Sequence, residues 1–226
     1  MGIIFYFDIV GVFLFSLSGT LTAQRYNKLD YFGLAFVALI TAVGGGTVRD
    51  VIIDAHPIAW VSHSAYFVAI VSGYLAALIF KIPILKFTKP IVTIDAVAVG
   101  FAAIAGMQKS IEYGANPLAA IVFGLITATV GGVIRDVICN EIPMVLRREV
   151  YASAVLLGCV VYLALTQILP SCESISLWSG VLVIVAVRLL AVHYRWNLDK
   201  RALDRRKRAI KNNTKRIRKN GRMHLK

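Results

Sequence analysis

The chain has 226 residues, of which 58% are hydrophobic and 16% are charged, and its mean hydropathy is +0.72. Soluble domains carry about a quarter charged residues, so this composition excludes an ordinary soluble protein and indicates a membrane protein. The net charge of +13 belongs to the C-terminal tail, because 14 lysines and arginines and only two acids lie between His193 and Lys226.

Seven apolar stretches follow one another along the chain. A membrane-spanning helix needs about 20 mostly apolar residues. The predicted spans are residues 3–23, 32–53, 64–80, 91–107, 117–138, 150–169 and 175–193. The first stretch has no basic segment before it and is longer than the apolar part of a signal peptide, so we interpret it as a retained helix. We therefore predict an all-α integral membrane protein with seven transmembrane helices.

The loops between these stretches differ in charge. One alternating set contains seven bases, namely Arg25, Lys28, Lys81, Lys86, Lys89, Arg147 and Arg148. The other set contains only Lys109. Since lysine and arginine favour the cytoplasmic side of a membrane, this asymmetry predicts an outside N-terminus and a cytoplasmic C-terminus.

One sequence pattern occurs twice. The motif G-G-x-x-R-D-V-I begins at Gly45 in the second stretch and again at Gly131 in the fifth, 86 residues later. Further pairs at this offset, or one residue from it, are Pro57 with Pro143, Asp8 with Asp95, and Tyr66 with Tyr151. Because each copy crosses the membrane three times, the second copy is predicted to be inverted, as in many transporters. The predicted units are residues 1–89, the inverted repeat 90–170, a seventh helix at 171–194 and a basic tail at 195–226.

Glycines precede the charged pair in each motif, as Gly44, Gly45 and Gly46 in one copy and Gly131 and Gly132 in the other. Glycine costs about 1 kcal/mol relative to alanine inside a helix, so we predict a break or a kink at both places. Exposed backbone is tolerated at membrane depth only where protein or water covers it, which favours a polar pathway. Close helix packing through small residues is the alternative.

The same motifs place ionisable residues within apolar stretches. Each such residue costs at least about 2.5 kcal/mol at the centre of a spanning helix when unpaired, so polar partners are expected. We predict two clusters that flank a narrow midplane zone. Their members are Asp8, Arg49 and Asp50 towards the outside, and Asp95, Arg135 and Asp136 towards the inside. Ion pairs that only hold the helices together are the alternative.

The remaining features point to few partners. No serine–histidine pair, phosphate loop or metal cluster accompanies the charged residues, so we expect no enzyme, no cofactor and no metal beyond permeant ions. Arg188 lies near the end of the seventh helix, where we interpret it as reaching the interface, with that helix as a packing or oligomer contact. The basic tail is expected to attract anionic lipids rather than nucleic acid.

The two motifs carry a family resemblance. G-G-G-T-V-R-D at 44–50 with Pro57, and G-G-V-I-R-D at 131–136 with N-E-I-P at 140–143, resemble the prokaryotic branch of the trimeric intracellular cation channels, also called the glycine transporter domain family. The resemblance covers residues 1 to about 195. It implies a homotrimer in a bacterial inner membrane, in which each protomer has its own pore for potassium and other monovalent cations, with kinked second and fifth helices.

Two functions remain open on the sequence alone. In a channel, Thr47 and the carbonyls near the glycines of both motifs would line a water-filled passage, with Asp8 and Asp95 attracting cations. In a carrier for a small zwitterion such as glycine, an arginine would hold the carboxylate and an aspartate the ammonium group. A scaffold that binds lipid through its tail ranks last, because it has no use for paired charges inside the membrane.

Overall fold

The computed structural model describes residues 2–26, 29–79, 88–147, 150–169 and 171–194. Regular structure in these ranges is entirely helical. The helices are α1 (Ile3–Tyr26), α2 (Tyr31–Ile52), α3 (Ala59–Ser62), α4 (Ser64–Ile79), α5 (Thr88–Glu112), α6 (Pro117–Ile138), α7 (Met144–Arg147), α8 (Ala152–Ile168) and α9 (Glu173–His193). The basic tail 195–226 and the loop bases Lys28, Lys81, Lys86 and Arg148 lie outside the described residues.

Each of the seven predicted apolar stretches coincides with a helix. Helices α1, α2, α5, α6 and α9 are long and apolar enough to cross a membrane, whereas α4 and α8 are apolar but have only 16 and 17 residues. The prediction for the fourth stretch was too short, because α5 continues through Lys109 to Glu112. The four-residue helices α3 and α7, which follow the two motifs, are not predicted from the sequence.

The helices α2 and α6 begin and end in the same way. Each starts after a side-chain cap, because Asp30 accepts from the Gly33 amide at 2.7 Å and Asn116 accepts from the Ala119 amide at 2.9 Å. Such caps satisfy amides that have no partner within the helix.

At their C-terminal ends, the residues Asp54 and Asn140 have φ angles of 55° and 54°, a conformation that aspartate and asparagine tolerate better than most residues. The amide of the following residue donates back to the helix in both places. Ala55 donates to the Asp50 carbonyl and Glu141 to the Asp136 carbonyl, each at 2.8 Å. The chain therefore turns sharply after each Arg–Asp pair and brings a short helix back against it.

The central element is α5, the most buried of the long helices. It runs antiparallel to α1, since Gly11 lies against Ala102 while Ser18 lies near Asp95 further along. It is also antiparallel to α9, where Ile104 lies against Gly180 and Asp95 contacts Arg188. The small residues of α5, which include Ala98, Ala102, Ala103 and Ala105, allow its neighbours to pack closely around it.

The helices α2 and α6 cross in close contact at their glycines. A Cβ on Gly45 would lie 2.1 Å from the Thr127 carbonyl oxygen, and one on Gly131 would lie 2.3 Å from the Thr41 carbonyl oxygen. Both helices are continuous through this point, so the predicted break in the helix was wrong. The backbone amides stay hydrogen-bonded within each helix, and the missing side chains serve the alternative purpose of close packing.

The crossing predicts different effects for neighbouring glycines. Gly45→Ala should lower the free energy of unfolding by about 1–3 kcal/mol or more, because its methyl group overlaps a backbone carbonyl. Gly46→Ala is the matched control, since its Cβ would be 3.7 Å from the nearest atom, and it should change stability by no more than about 1 kcal/mol. Thermal unfolding in detergent measures both. Equal melting temperatures for the two variants would contradict the crossing.

Candidate functional site

The first group of charged side chains surrounds Asp50 at the end of α2, and we call it the Asp50 cluster. Arg49 donates to Asp50 Oδ1 from Nε at 2.9 Å and from Nη2 at 2.8 Å. Lys109 of α5 donates to Asp50 Oδ2 at 2.8 Å. Asp8 of α1 lies beside this group and accepts from the Tyr66 hydroxyl at 2.6 Å. These five residues form the Asp50 cluster, in which Arg49 and Asp50 are buried.

The second group surrounds the buried Asp95 of α5, and we call it the Asp95 cluster. Arg135 donates to Asp95 Oδ1 at 3.1 Å and to Asp136 Oδ1 at 2.8 Å. Arg188 of α9 donates to Asp95 Oδ2 at 2.8 Å. The Tyr151 hydroxyl is 3.5 Å from the same oxygen. These five residues form the Asp95 cluster.

The aspartate after each arginine is also held by a short helix. The Ala59 amide at the start of α3 donates to Asp50 Oδ2 at 3.0 Å, and the Met144 amide at the start of α7 donates to Asp136 Oδ2 at 2.9 Å. A carboxylate buried away from water needs several donors to offset its lost hydration. The turn after each motif therefore supplies one of them.

The two clusters lie at different depths along the central helices. Asp95 and Lys109 of α5 are fourteen residues apart and belong to different clusters. At 1.5 Å per residue this separation is about 21 Å along the helix axis, against a hydrocarbon thickness of about 30 Å. Asp8 and Ser18 of α1 show the same division, because Ser18 contacts Arg135 and lies near Asp95.

The structure brings together the residues of both predicted clusters, but the first aspartate contacts the arginine directly in only one of them. Asp95 contacts Arg135 directly, as the grouping towards the inside requires. Asp8 lines the same cavity as Arg49 and Asp50, but its hydrogen bond goes to Tyr66 rather than to the arginine. The two clusters thus share a motif and differ in how their first aspartate is held.

A small cavity adjoins the Asp50 cluster. Its volume is about 20 Å³, enough for a single water-sized particle, since a water needs about 10–15 Å³ in this measure. Its polar lining is Asp8, Arg49, Asp50, Trp60, Tyr66 and Thr127, and Gly46 forms part of the wall. Within the described part of the chain, the buried Nη1 of Arg49 has no hydrogen-bond partner.

The predicted lining residues differ in where they lie. Gly46 and Gly132 face the arginines, with Cβ positions 3.7 and 3.6 Å from the Nη2 atoms. Gly45 and Gly131 lie in the contact between α2 and α6 and face the opposite helix. Gly44 lies against Gly131 in the same contact. The Thr47 hydroxyl donates to the Val43 carbonyl at 2.8 Å and accepts from Trp60 Nε1 at 3.0 Å, and Thr47 is not among the residues that line the cavity.

Sequence reasoning missed two cationic members of the clusters. The sequence predicts Lys109 in a loop, yet it lies in α5 and pairs with Asp50. Arg188 was interpreted as reaching the interface, which was wrong, because it is 4% exposed and pairs with Asp95. For Arg188 the available signal is that a charged residue within an apolar stretch usually has a partner inside the protein. Lys109 lies beyond the predicted stretch 91–107, so the sequence carries no such signal for it.

The contacts predict that replacing Asp95 lowers the free energy of unfolding more than replacing Asp8 does. Asp95→Asn leaves Arg188 without its carboxylate and should lower the free energy of unfolding by about 3–5 kcal/mol. Asp8→Asn is the matched control at the corresponding position and should cost about 1 kcal/mol, because Asp8 is half-buried and accepts one neutral hydrogen bond. Unfolding of both purified variants in detergent compares them. Equal losses would contradict this assignment of partners.

Known proteins resemble this chain over most of its length. A family model described as Glycine transporter matches residues 5–81 and again residues 92–167. The UPF0126 inner membrane protein YadS of Escherichia coli K12 is 35% identical over 205 residues, which cover 89% of this chain and 98% of that protein.

Two solved structures have the same fold. The structure of the TRIC trimeric intracellular cation channel orthologue from Rhodobacter sphaeroides superposes with a TM-score of 0.80 at 30% identity, covering 87% of this chain and 100% of that one. A prokaryotic TRIC channel in 0.5 M KCl gives a TM-score of 0.77 at 32% identity, covering 87% and 98%. Because these matches span most of the chain, the protein belongs to the TRIC cation-channel family, whose sequence model is described as Glycine transporter.

Proposed function

We propose that this protein is a membrane channel that passes monovalent cations, chiefly potassium, through a pore within each protomer of a homotrimer. The cavity at the Asp50 cluster carries the proposal. Its volume of about 20 Å³ suits one ion or one water molecule, and the half-buried Asp8 carboxylate borders it. The solved relatives are described as cation channels, one of them as trimeric, which supports the same activity and assembly here.

The proposed membrane arrangement has seven spans and two inverted three-helix units, residues 1–89 and 90–170, followed by a seventh helix at 171–194. Two observations support it. The family model matches the chain twice, once in each unit. The helices α2 and α6 are antiparallel, because Gly45 lies against Thr127 and Gly131 against Thr41, as alternating crossings require.

The proposed orientation puts the Asp50 cluster towards the outside and the Asp95 cluster towards the cytoplasm of a bacterial inner membrane. The charge distribution of the loops and the inner-membrane description of the Escherichia coli relative support it. The basic tail 195–226 would then lie against anionic lipids of the cytoplasmic leaflet.

The proposed pathway runs past both clusters and between α2 and α6. Gly46 leaves space beside Arg49, where main-chain carbonyls and Asp8 could replace part of the hydration shell of a cation. Gly132 and Asp95 would do the same beside Arg135 once the narrow crevice there widens. The crossing glycines would let both helices bend there without a break. The positive charges beside this pathway are neutralised, because each cluster contains two basic and two acidic side chains.

A carrier for a small zwitterion is the second candidate, and one observation favours it. Arg49 and Asp8 line the same cavity, and the Nη1 atom of Arg49 has no partner among the described residues. These groups would suit a carboxylate and an ammonium. The cavity is nevertheless too small for the several non-hydrogen atoms of glycine, so binding would require the helices to separate.

Recording of single channels separates the two candidates. Purified protein in a planar bilayer under a potassium gradient should give discrete openings that reverse at the potassium equilibrium potential. Asp8→Asn should lower the potassium conductance, and the charge-preserving Asp8→Glu is its control. Silent bilayers together with saturable glycine uptake into liposomes from the same preparation would favour the carrier and contradict the channel.

The pairing of Lys109 with Asp50 predicts an effect on cation flow. Lys109→Gln removes a positive charge from the outer end of the proposed path and should raise the potassium current by about threefold or more at low salt, because the local potential becomes more negative. Lys109→Arg keeps the charge and should leave the current near that of the unmodified protein. An unchanged current in a folded Lys109→Gln variant would remove Lys109 from the path.

A further inference from the structure

The Asp95 carboxylate is fully engaged in this structure. Arg135 Nη1 donates to Oδ1 at 3.1 Å, and Arg188 Nη2 donates to Oδ2 at 2.8 Å. Arg188 Nη1 also donates to the Asp95 main-chain carbonyl at 3.2 Å, and its guanidinium lies 3.9 Å from the centre of the Tyr151 ring. Arg188 therefore fixes both the aspartate and the tyrosine of the Asp95 cluster.

The Asp50 cluster shows the same motif without such an arginine. Asp8 and Tyr66 correspond to Asp95 and Tyr151, and the Tyr66 hydroxyl donates to Asp8 at 2.6 Å. The hydroxyl of Tyr151 is 3.5 Å from Asp95, whose nearer partner at that oxygen is Arg188.

The free space beside Arg49 is also larger than the free space beside Arg135. The Asp50 cluster adjoins a cavity of about 20 Å³, and Arg49 Nη1 has no described partner. The corresponding crevice, lined by Gly132, Arg135, Asp136 and Tyr151 among others, is too narrow for a water molecule. The Asp50 cluster thus has a water-sized space beside its arginine, whereas the Asp95 cluster has no such space in the described structure.

We propose that Arg188 is a positioning residue that holds the Asp95 cluster closed, and that the Asp50 cluster displays the geometry the Asp95 cluster adopts when Arg188 withdraws. Asp95 then accepts a close hydrogen bond from Tyr151, as Asp8 does from Tyr66. Arg135 Nη1 loses its carboxylate partner, and a water-sized space opens beside Gly132. This proposal rests on the proposed passage between α2 and α6.

Because of its position in the chain, Arg188 acts on the Asp95 cluster and has no counterpart at the Asp50 cluster. It belongs to α9, which follows the second unit and has no counterpart in the twofold repeat, so no corresponding side chain reaches Asp8 in the described structure. A motion of the C-terminal part of α9 relative to α5 would therefore act directly on the Asp95 cluster, through Arg188. Withdrawal of Arg188 also leaves that cluster with one excess negative charge, which favours a cation at the moment of opening.

Thiol labelling tests the proposal without requiring ion flow. In full-length protein in liposomes, with the native cysteines Cys139, Cys159 and Cys172 replaced by alanine, Gly132→Cys reports on the Asp95 cluster and Gly46→Cys on the Asp50 cluster. Both reporters have space for a Cβ. A charged, membrane-impermeant methanethiosulfonate is applied to the face where α9 ends for the first reporter, and to the opposite face for the second.

Arg188→Gln should raise the labelling rate at position 132 by about tenfold or more, because loss of a buried charge partner shifts a two-state equilibrium at least that far. The rate at position 46 should stay unchanged. Arg188→Lys keeps the charge and should give a smaller increase. An unchanged rate at position 132, or an equal increase at both positions, would overturn the proposal and leave Arg188 as a packing residue.

A second variant covers the case in which Arg188→Gln does not fold. Tyr151→Phe keeps the ring against which Arg188 packs and removes only the hydroxyl that the open state needs, so labelling at position 132 should become slower than in the parent. Unaltered labelling would contradict the proposed exchange. If labelling responds as expected while bilayers stay silent, the channel function fails and the role of Arg188 stands.

Discussion

The close crossing of α2 and α6 is the contact on which the other features of this protein depend. At Gly45 and Gly131 each helix presents bare backbone to a carbonyl of the other, at distances that no side chain permits. The crossing is reciprocal, because the facing carbonyls belong to Thr41 and Thr127, which are themselves 86 residues apart. Each arginine therefore lies four residues, and each aspartate five residues, beyond the crossing glycine of its helix, on opposite sides of the crossing.

Burial of charge within an apolar bundle is the second constraint. Separate charges at this depth would cost several kcal/mol each, so every arginine of the two clusters has a carboxylate in contact. The sharp turn after each motif adds a backbone amide to the second aspartate. Such a network stores little net stability but fixes geometry, because removal of one partner leaves another charge exposed to hydrocarbon.

The Asp50 cluster and the Asp95 cluster contain the same sequence motif but differ in the additional cation that each contacts. Lys109 supplements the Asp50 cluster from a partly exposed position, whereas Arg188 occupies the Asp95 cluster almost without exposure. Two sites built on the same sequence motif therefore differ in their partners, because α9 adds Arg188 to one of them. The free space beside Gly46 is also larger than the space beside Gly132.

The sequence by itself determined the membrane class, the positions of the long helices and the duplicated motif, because hydropathy and a repeat of 86 residues are properties of the chain alone. The tertiary structure decided the purpose of the glycines and the partners of Lys109 and Arg188. A glycine pair has the same composition whether it breaks a helix or permits a crossing, and only the neighbouring helix distinguishes these cases. A lone cation in an apolar stretch likewise gives no indication of which distant carboxylate the fold brings to it.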